Sequence, residues 1–232
     1  MGLTVAWIAT LALAAPAVAP QDAVAWRTQS DALYASGDYH AALESADRAR
    51  RLDPSDPWAR YAWVRALAAI DPEAARREVA GIQDPAALKA FPEEDRARLE
   101  TALGYLCLDL GIEPLAAMYF HEVPNSAESH AKAQAGLAIL AVRRGNSRQA
   151  LVHFEAARTS VRQDASLAEL ERDARYNVVL QQFTTARDLR DANAAGRAYA
   201  VLDELRPNHP ATLQARADLA ALRGDMPARE RA

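Results

Sequence analysis

"YASGDYHAALESADRARRLDP", Tyr34 to Pro54, places a turn between two helical runs. Gly37 ends the first run. A residue without a Cβ takes the left-handed backbone conformation that closes a helix and meets no steric clash. Asp38 follows, and its carboxylate can cap the free N–H groups of the next helix. Ala42, Ala46 and Ala49 then recur at helical spacing. Pro54, seventeen residues after the glycine, cannot continue the run. The stretch reads as one helical hairpin.

The same turn returns along the chain. Gly37 and Asp71, Gly111 and Gly145, and Arg190 and Gly224 form three pairs, each 34 residues apart. About six extra residues lie between the first and second pairs and eleven between the second and third. A fixed period of this length marks hairpins stacked side by side. The slots around the turns agree. Trp26, Ser30 and Leu33 precede Gly37; Leu103, Gly104 and Cys107 precede Gly111; Leu137, Ala138 and Ala141 precede Gly145. Leu213, Ala217 and Ala220 hold the equivalent places before Gly224. Ala116 and Phe120, then Ala150, Phe154 and Ala157, follow their turns, and Ala195, Tyr199 and Leu202 precede Pro207. Small residues at a crossing let helix axes approach to ~8–9 Å, and the larger residue one turn later fills the space beside them.

These residues resemble the tetratricopeptide repeat, whose unit reads W-x2-L-G-x2-Y, then A-x3-F, then P. The match is best from Ala23 to Asp56, with Trp26, "SGDYHAAL" and "LDP"; "LGYLCLDLG" and "AILAVRRGNSRQALVHFEAA" come next. The resemblance runs over roughly residues 23 to 230. It implies an all-α fold, a right-handed α-solenoid of about five to six helix-turn-helix repeats. Departures are visible. Gln29 stands where leucine is usual, and "WARYAWVRALAAIDPEAARREVAGI" has a short second helix. Phe183 stands where a small residue belongs, which predicts looser or shifted packing there. Two prolines make Gln83 to Arg96 a connector, and "VPNSAESH" a second break. Asp164 to Arg187 reads as one long helix, with Leu167, Leu170, Ala174, Val178, Gln181 and Thr185 on one face. The closing "GDMPARERA" is read as a polar cap, with an attachment surface as the alternative.

Residues 1–19 differ from the rest. "MGLTVAWIATLALAAPAVAPQ" has no charged side chain before Asp22, and its apolar run leads into A-x-A sites at Ala12–Ala14, Ala15–Ala17 and Ala17–Ala19. We read it as a signal peptide cleaved near residues 14–19, with a retained membrane anchor or a cap on the first repeat as alternatives. Residues 20–232 then form the repeat domain, placed in the periplasm or secreted. Only the retained segment would give the chain a membrane contact.

Half of the 232 residues are hydrophobic, yet only 6% are aromatic, so the core must rest on small side chains and close helix contacts. A formal net charge of −4 with both signs interspersed argues against nucleic acid as a partner. The one cysteine, Cys107, allows no intramolecular disulfide and reads as a small core residue. No nucleophile elbow, phosphate loop, dinucleotide fingerprint or HExxH zinc motif is present, and His121 and His130 are poorly spaced as ligands. The expectation is a chain that is no enzyme and needs no cofactor or metal.

Binding chemistry is better represented. In stacked hairpins the first helix of each unit lines the inner surface, as the resemblance implies. The face left free by the packing slots carries Arg27, Tyr34, Trp58, Tyr61, Arg65, Tyr105, Lys132 and Arg143, joined by Asp31, Arg98, Thr101, Leu108, Ile139, Asn177, Gln181 and Arg187. Tyr, Trp and Arg are the residue types that dominate binding hot spots. A partner bearing carboxylates and apolar groups suits this face. The Lys/Asn peptide-carboxylate clamp of chaperone-binding relatives is not supported, because Arg27 and Asp31 occupy its first places. The resulting expectation is a protein–protein interaction scaffold of the bacterial cell envelope, with envelope polysaccharide machinery as a possible client. A carbohydrate-binding accessory protein and a membrane-anchored assembly factor are the alternatives.

Overall fold

The computed structural model describes residues 22–82 and 91–224. The segment read as signal peptide or anchor, residues 83–90 of the connector, and the tail after Gly224 lie outside the described residues. The described residues form helices, with no strand among them. The chain divides between Asp71 and Pro72 into two compact units.

The first unit holds α1 (Ala23–Ala35), α2 (Tyr39–Leu52) and α3 (Pro57–Ile70). Aspartates start all three. Asp22 accepts from the Ala25 N–H at 2.7 Å, Asp38 from Ala41 at 3.2 Å and Asp56 from Trp58 at 2.9 Å, each satisfying a donor the helix cannot. Trp26, Ala49 and Ala59 pack where the three helices meet. Ser30 is fully buried, and its hydroxyl donates to the Ala42 carbonyl at 2.8 Å, so a polar side chain fills a small-residue slot at no loss of hydrogen bonding.

The second unit holds α4 (Pro72–Val79), a single 3-10 turn (Ala80–Ile82), α5 (Glu93–Asp109), α6 (Glu113–Glu122), α7 (His130–Arg143), α8 (Ser147–Ala156), α9 (Arg158–Gln163), α10 (Ala165–Asp188), α11 (Ala192–Leu205) and α12 (Pro210–Arg223). The helices α1/α2, α5/α6, α7/α8 and α10/α11 pair as hairpins. The connector proves shorter than its prolines implied. Pro92 is the N-cap of α5, and Glu93, Glu94 and Asp95 fill its first turn, where carboxylates meet the positive end of the helix dipole.

One turn design recurs. The N–H of Asp38 donates to Leu33 O, that of Ile112 to Cys107 O, that of Asn146 to Ala141 O and that of Asp191 to Ala186 O, all at 2.8–3.0 Å. The preceding residue in each case has positive φ: Gly37, Gly111, Gly145 and Arg190. This is the Schellman closure, with its six-residue bond. Arg190 at φ 57° is the only non-glycine with positive φ among the described residues. The period therefore imposes the left-handed conformation even where the sequence supplies a Cβ. Asp71 breaks the pattern. It sits at φ −138°, and Pro72 begins α4 directly, which leaves that helix eight residues long.

Phe120 is the wedge of the α5–α6–α7 packing. Its ring is 1% exposed and lies between Gly104 of α5 and Gly136 of α7. A Cβ at Gly104 would stand 2.4 Å from the ring and one at Gly136 2.2 Å from it, so both glycines are required by the ring's thickness.

Two expectations are corrected. The first half of α10 buries Leu167 and Ala174 as read, against a cluster that includes Phe154 and Val161. Its second half turns a different face inward: Tyr176, Val179, Phe183 and Ala186 are buried, while Gln181 and Thr185 are exposed. The helix has two successive partners, α8–α9 and then α11, and no single stripe serves both. Phe183 is 2% exposed, so its packing is shifted and not loose. In α12 the buried residues are Thr212, Ala215 and Leu219; Leu213 and Ala217 are exposed and Ala220 is half-buried.

Candidate partner-binding faces

In the first unit the named residues come together. Arg65 of α3 lies over the Tyr34 ring at 4.3 Å and the Tyr61 ring at 5.4 Å, and pairs with Asp31 of α1 at 2.5 Å. Tyr34 meets Tyr39 at 5.1 Å, and Trp58 meets Tyr61 edge-on at 5.7 Å. Arg27 donates to Asp56 at 2.8 Å. Burial pushes the Tyr61 phenol up, and the Arg65 guanidinium partly offsets this. A cation held between two aromatic faces contributes about 1 kcal/mol here, and the exposed ion pair no more than that. Both arginines are thus bound to their own chain. Trp58, Tyr34 and Tyr61 remain half-buried and keep ring surface open.

In the second unit the same positions largely stitch neighbouring repeats. Tyr105 donates to the Lys132 carbonyl at 2.8 Å and packs edge-on against Phe120 at 5.1 Å. Burial pushes its phenol up to about 12, with the Asp164 and Asp109 carboxylates adding to the shift. Arg143 donates to the Leu108 carbonyl at 3.0 Å, and Arg76 to the Leu110 carbonyl at 2.7 Å. Two cations from flanking repeats thereby close the C-terminal end of α5. Burial raises Asp109 beside them, which Arg143 opposes. Arg98 bonds Glu128, and Arg187 bonds Asp218 and Asp188. Thr101 and Leu108, expected on the open face, are 5% and 4% exposed and belong to the core. What stays open is Lys132, whose ammonium has no partner among the described residues, together with the exposed amides of Asn177 and Gln181.

Four polar contacts span close to one repeat period. Arg65 to Asp31 spans 34 residues, Arg76 to Leu110 also 34, Arg143 to Leu108 35 and Tyr176 to His209 33. In these four contacts the period read from the glycines returns. The motif of the tetratricopeptide repeat family matches residues 23–66, the hairpin α1/α2 and most of α3. Over that stretch the chain is similar to the tetratricopeptide repeat. Solved structures extend the likeness of fold beyond those residues. PilF of Pseudomonas aeruginosa is 18% identical with a TM-score of 0.54, over 84% of this chain and 97% of that one. YrrB, described as a TPR protein with an unusual peptide-binding site, is 22% identical with a TM-score of 0.51, over 84% and 92%. A chain of the Cut9–Hcn1 hetero-tetramer of the APC/C is 15% identical with a TM-score of 0.52; the match covers 90% of this chain and 42% of that one. No curated protein sequence matches.

Two further ionisable groups are buried. Cys107 is fully buried, and burial pushes its thiol up to about 12, far from the thiolate a nucleophile needs. Glu100, 6% exposed, is pushed up to about 7 by burial, with Arg96 opposing the shift and Glu122 adding to it. Nothing in the local sequence announces that shift, which depends on α6 closing over α5. Among the described residues no three His, Cys, Asp or Glu side chains gather as a metal ligand set, and no helix is long and apolar enough to cross a membrane.

Proposed function

We propose that this chain is a non-enzymatic scaffold that binds a segment of a protein partner along the first-helix faces of its repeats. The observation that carries the reading is the division of labour on those faces. Most cations are tied to their own chain, while Trp58, Tyr34 and Tyr61 in one unit and Lys132, Asn177 and Gln181 in the other stay open. Aromatic rings anchored by fixed arginines are pre-organised, so little conformational entropy is lost on binding. YrrB, with its peptide-binding site, supports the same use of the fold. We further propose export to the bacterial cell envelope, supported by the uncharged apolar stretch and A-x-A sites of residues 1–19.

Crosslinking in the native host tests the scaffold. A specific partner is expected, weakened by Lys132→Glu, an exposed change that breaks no internal bond. The absence of any protein crosslinked above a denatured control would end the reading. Mass spectrometry of the native N-terminus tests export; a first residue directly after Ala14, Ala17 or Ala19 is expected, and an intact Met1 would oppose it.

A further inference from the structure

Neighbouring turns of the second unit do not all face one another. The turn after α5 and the turn after α7 align, since Arg144 reaches Glu113 at 3.2 Å. The next equivalent turn, at Arg190, does not continue that alignment. The α7–α8 turn instead faces the middle of α10, at Asn177 to Thr184. The cause is the ten-residue extension of α10, which buries Leu167 and Ala174 against the α8–α9 cluster. That packing carries the C-terminal half of α10 past the preceding turn. The offset leaves an open cleft of about 690 Å³ between turn and helix, within the range of ~300–1,000 Å³ typical of ligand sites.

The lining of the cleft has one sign. Arg144 and Arg148 stand on the turn, and no carboxylate lines the cleft. Arg144 is held by Glu113. Arg148 is exposed and makes no ion pair among the described residues. In a chain of net charge −4 this is a local excess of positive charge without an internal partner. Across from it, Asn177 and Gln181 project exposed amides one helical turn apart, above the half-buried Val178 and Leu180. Each amide offers both a donor and an acceptor. Their axial separation of ~6 Å approaches the ~6.6 Å between alternate residues of an extended strand, whose like-facing peptide groups need such a pair.

We propose that this cleft is a docking site for an extended, acidic segment of a partner protein. A carboxylate of the segment meets Arg148, its backbone bonds the Asn177 and Gln181 amides, and its apolar side chains lie on Val178 and Leu180. The proposal rests on the scaffold reading and locates one contact of that scaffold at the edge of the repeat stack.

The probe is a fluorescein-labelled hexapeptide, Glu-Ala-Glu-Ala-Glu-Ala, titrated against the full chain by fluorescence polarisation. Binding is expected to weaken at least tenfold in Arg148→Glu and at least threefold in Asn177→Ala combined with Gln181→Ala. The glutamine counterpart of the peptide is expected to bind at least tenfold more weakly. Unchanged circular dichroism and melting temperature show that these exposed variants stay folded. No binding of the acidic peptide, or equal binding by Arg148→Glu, overturns the cleft. Binding lost in Lys132→Glu and kept in Arg148→Glu also overturns it, while leaving the scaffold reading standing. The absence of any crosslinked partner in the host would remove the scaffold reading instead.

Discussion

Replacing Gly136 by alanine tests the wedge that holds α5, α6 and α7 together. By helix propensity alone the change should stabilise, since alanine exceeds glycine by about 1 kcal/mol inside a helix. The structure predicts the opposite sign. The new methyl would lie 2.2 Å from Cζ of Phe120 and 2.4 Å from Cε2, so the ring must retreat by more than 1 Å to reach ordinary contact. It has nowhere to go. Gly104 sits against the other side, where a Cβ would itself be 2.4 Å from Cε1, and Tyr105 packs edge-on at 5.1 Å. Overpacking of this kind costs about 1–3 kcal/mol. The net expectation for Gly136→Ala, overpacking less the propensity gain, is a loss of up to about 2 kcal/mol in urea unfolding followed by far-ultraviolet circular dichroism, with the m-value unchanged. Phe120→Leu in the same background shortens the wedge, and a coupling energy of about 1–2 kcal/mol favouring the double variant is expected from the completed cycle. A rise in the urea midpoint for Gly136→Ala, or additivity with Phe120→Leu, would refute the reasoning.

Arg190→Gly removes the left-handed strain at φ 57° and should raise stability by about 0.5–1 kcal/mol, after the added freedom of the unfolded glycine is subtracted; thermal unfolding reads this directly. Glu100→Gln should abolish a pH dependence. The folded carboxyl is raised from 4.5 to about 7, so stability falls as pH rises from about 4.5 to 7 and then stays low. At pH above 7 the variant should gain stability, on the order of 3 kcal/mol at most, and below 4.5 it should match the parent, as measured by urea midpoints across that range. Arg65→Ala removes the cation that holds the Tyr61 phenol down, so Tyr61 should titrate at higher pH, and stability should drop by about 1–2 kcal/mol; tyrosinate absorbance and urea unfolding check the two effects.

The hairpins were legible in the sequence because their closure is local. Gly37, Gly111 and Gly145 answer to a backbone angle, and even Arg190 stood out by spacing alone. The small-residue slots were legible for the same reason, down to Ala42, Ala46, Phe120 and Phe154. The inner face was less so. Helical periodicity puts Arg27, Arg65 and Arg143 on the open face, yet each finds an acceptor 29 to 35 residues away. Periodicity says which side a residue faces and not what stands opposite it. The second half of α10 departs from the expected face where the helix changes partner, because a stripe that fits one neighbour does not hold when a second takes over at Tyr176. The cleft beside Arg148 had no sequence signature, since it arises from an offset between two elements each ordinary in itself.

The arginine bonds to the Leu108 and Leu110 carbonyls carry a consequence for anyone cutting the molecule into parts. The donors come from the segments before and after α5, so excising the α5–α6 hairpin would bare two carbonyls on the fragment and strand two guanidiniums on its former neighbours. Modules lifted out for grafting would need replacement cations at both borders. The seams between hairpins, and not the hairpins themselves, decide where this chain can be divided.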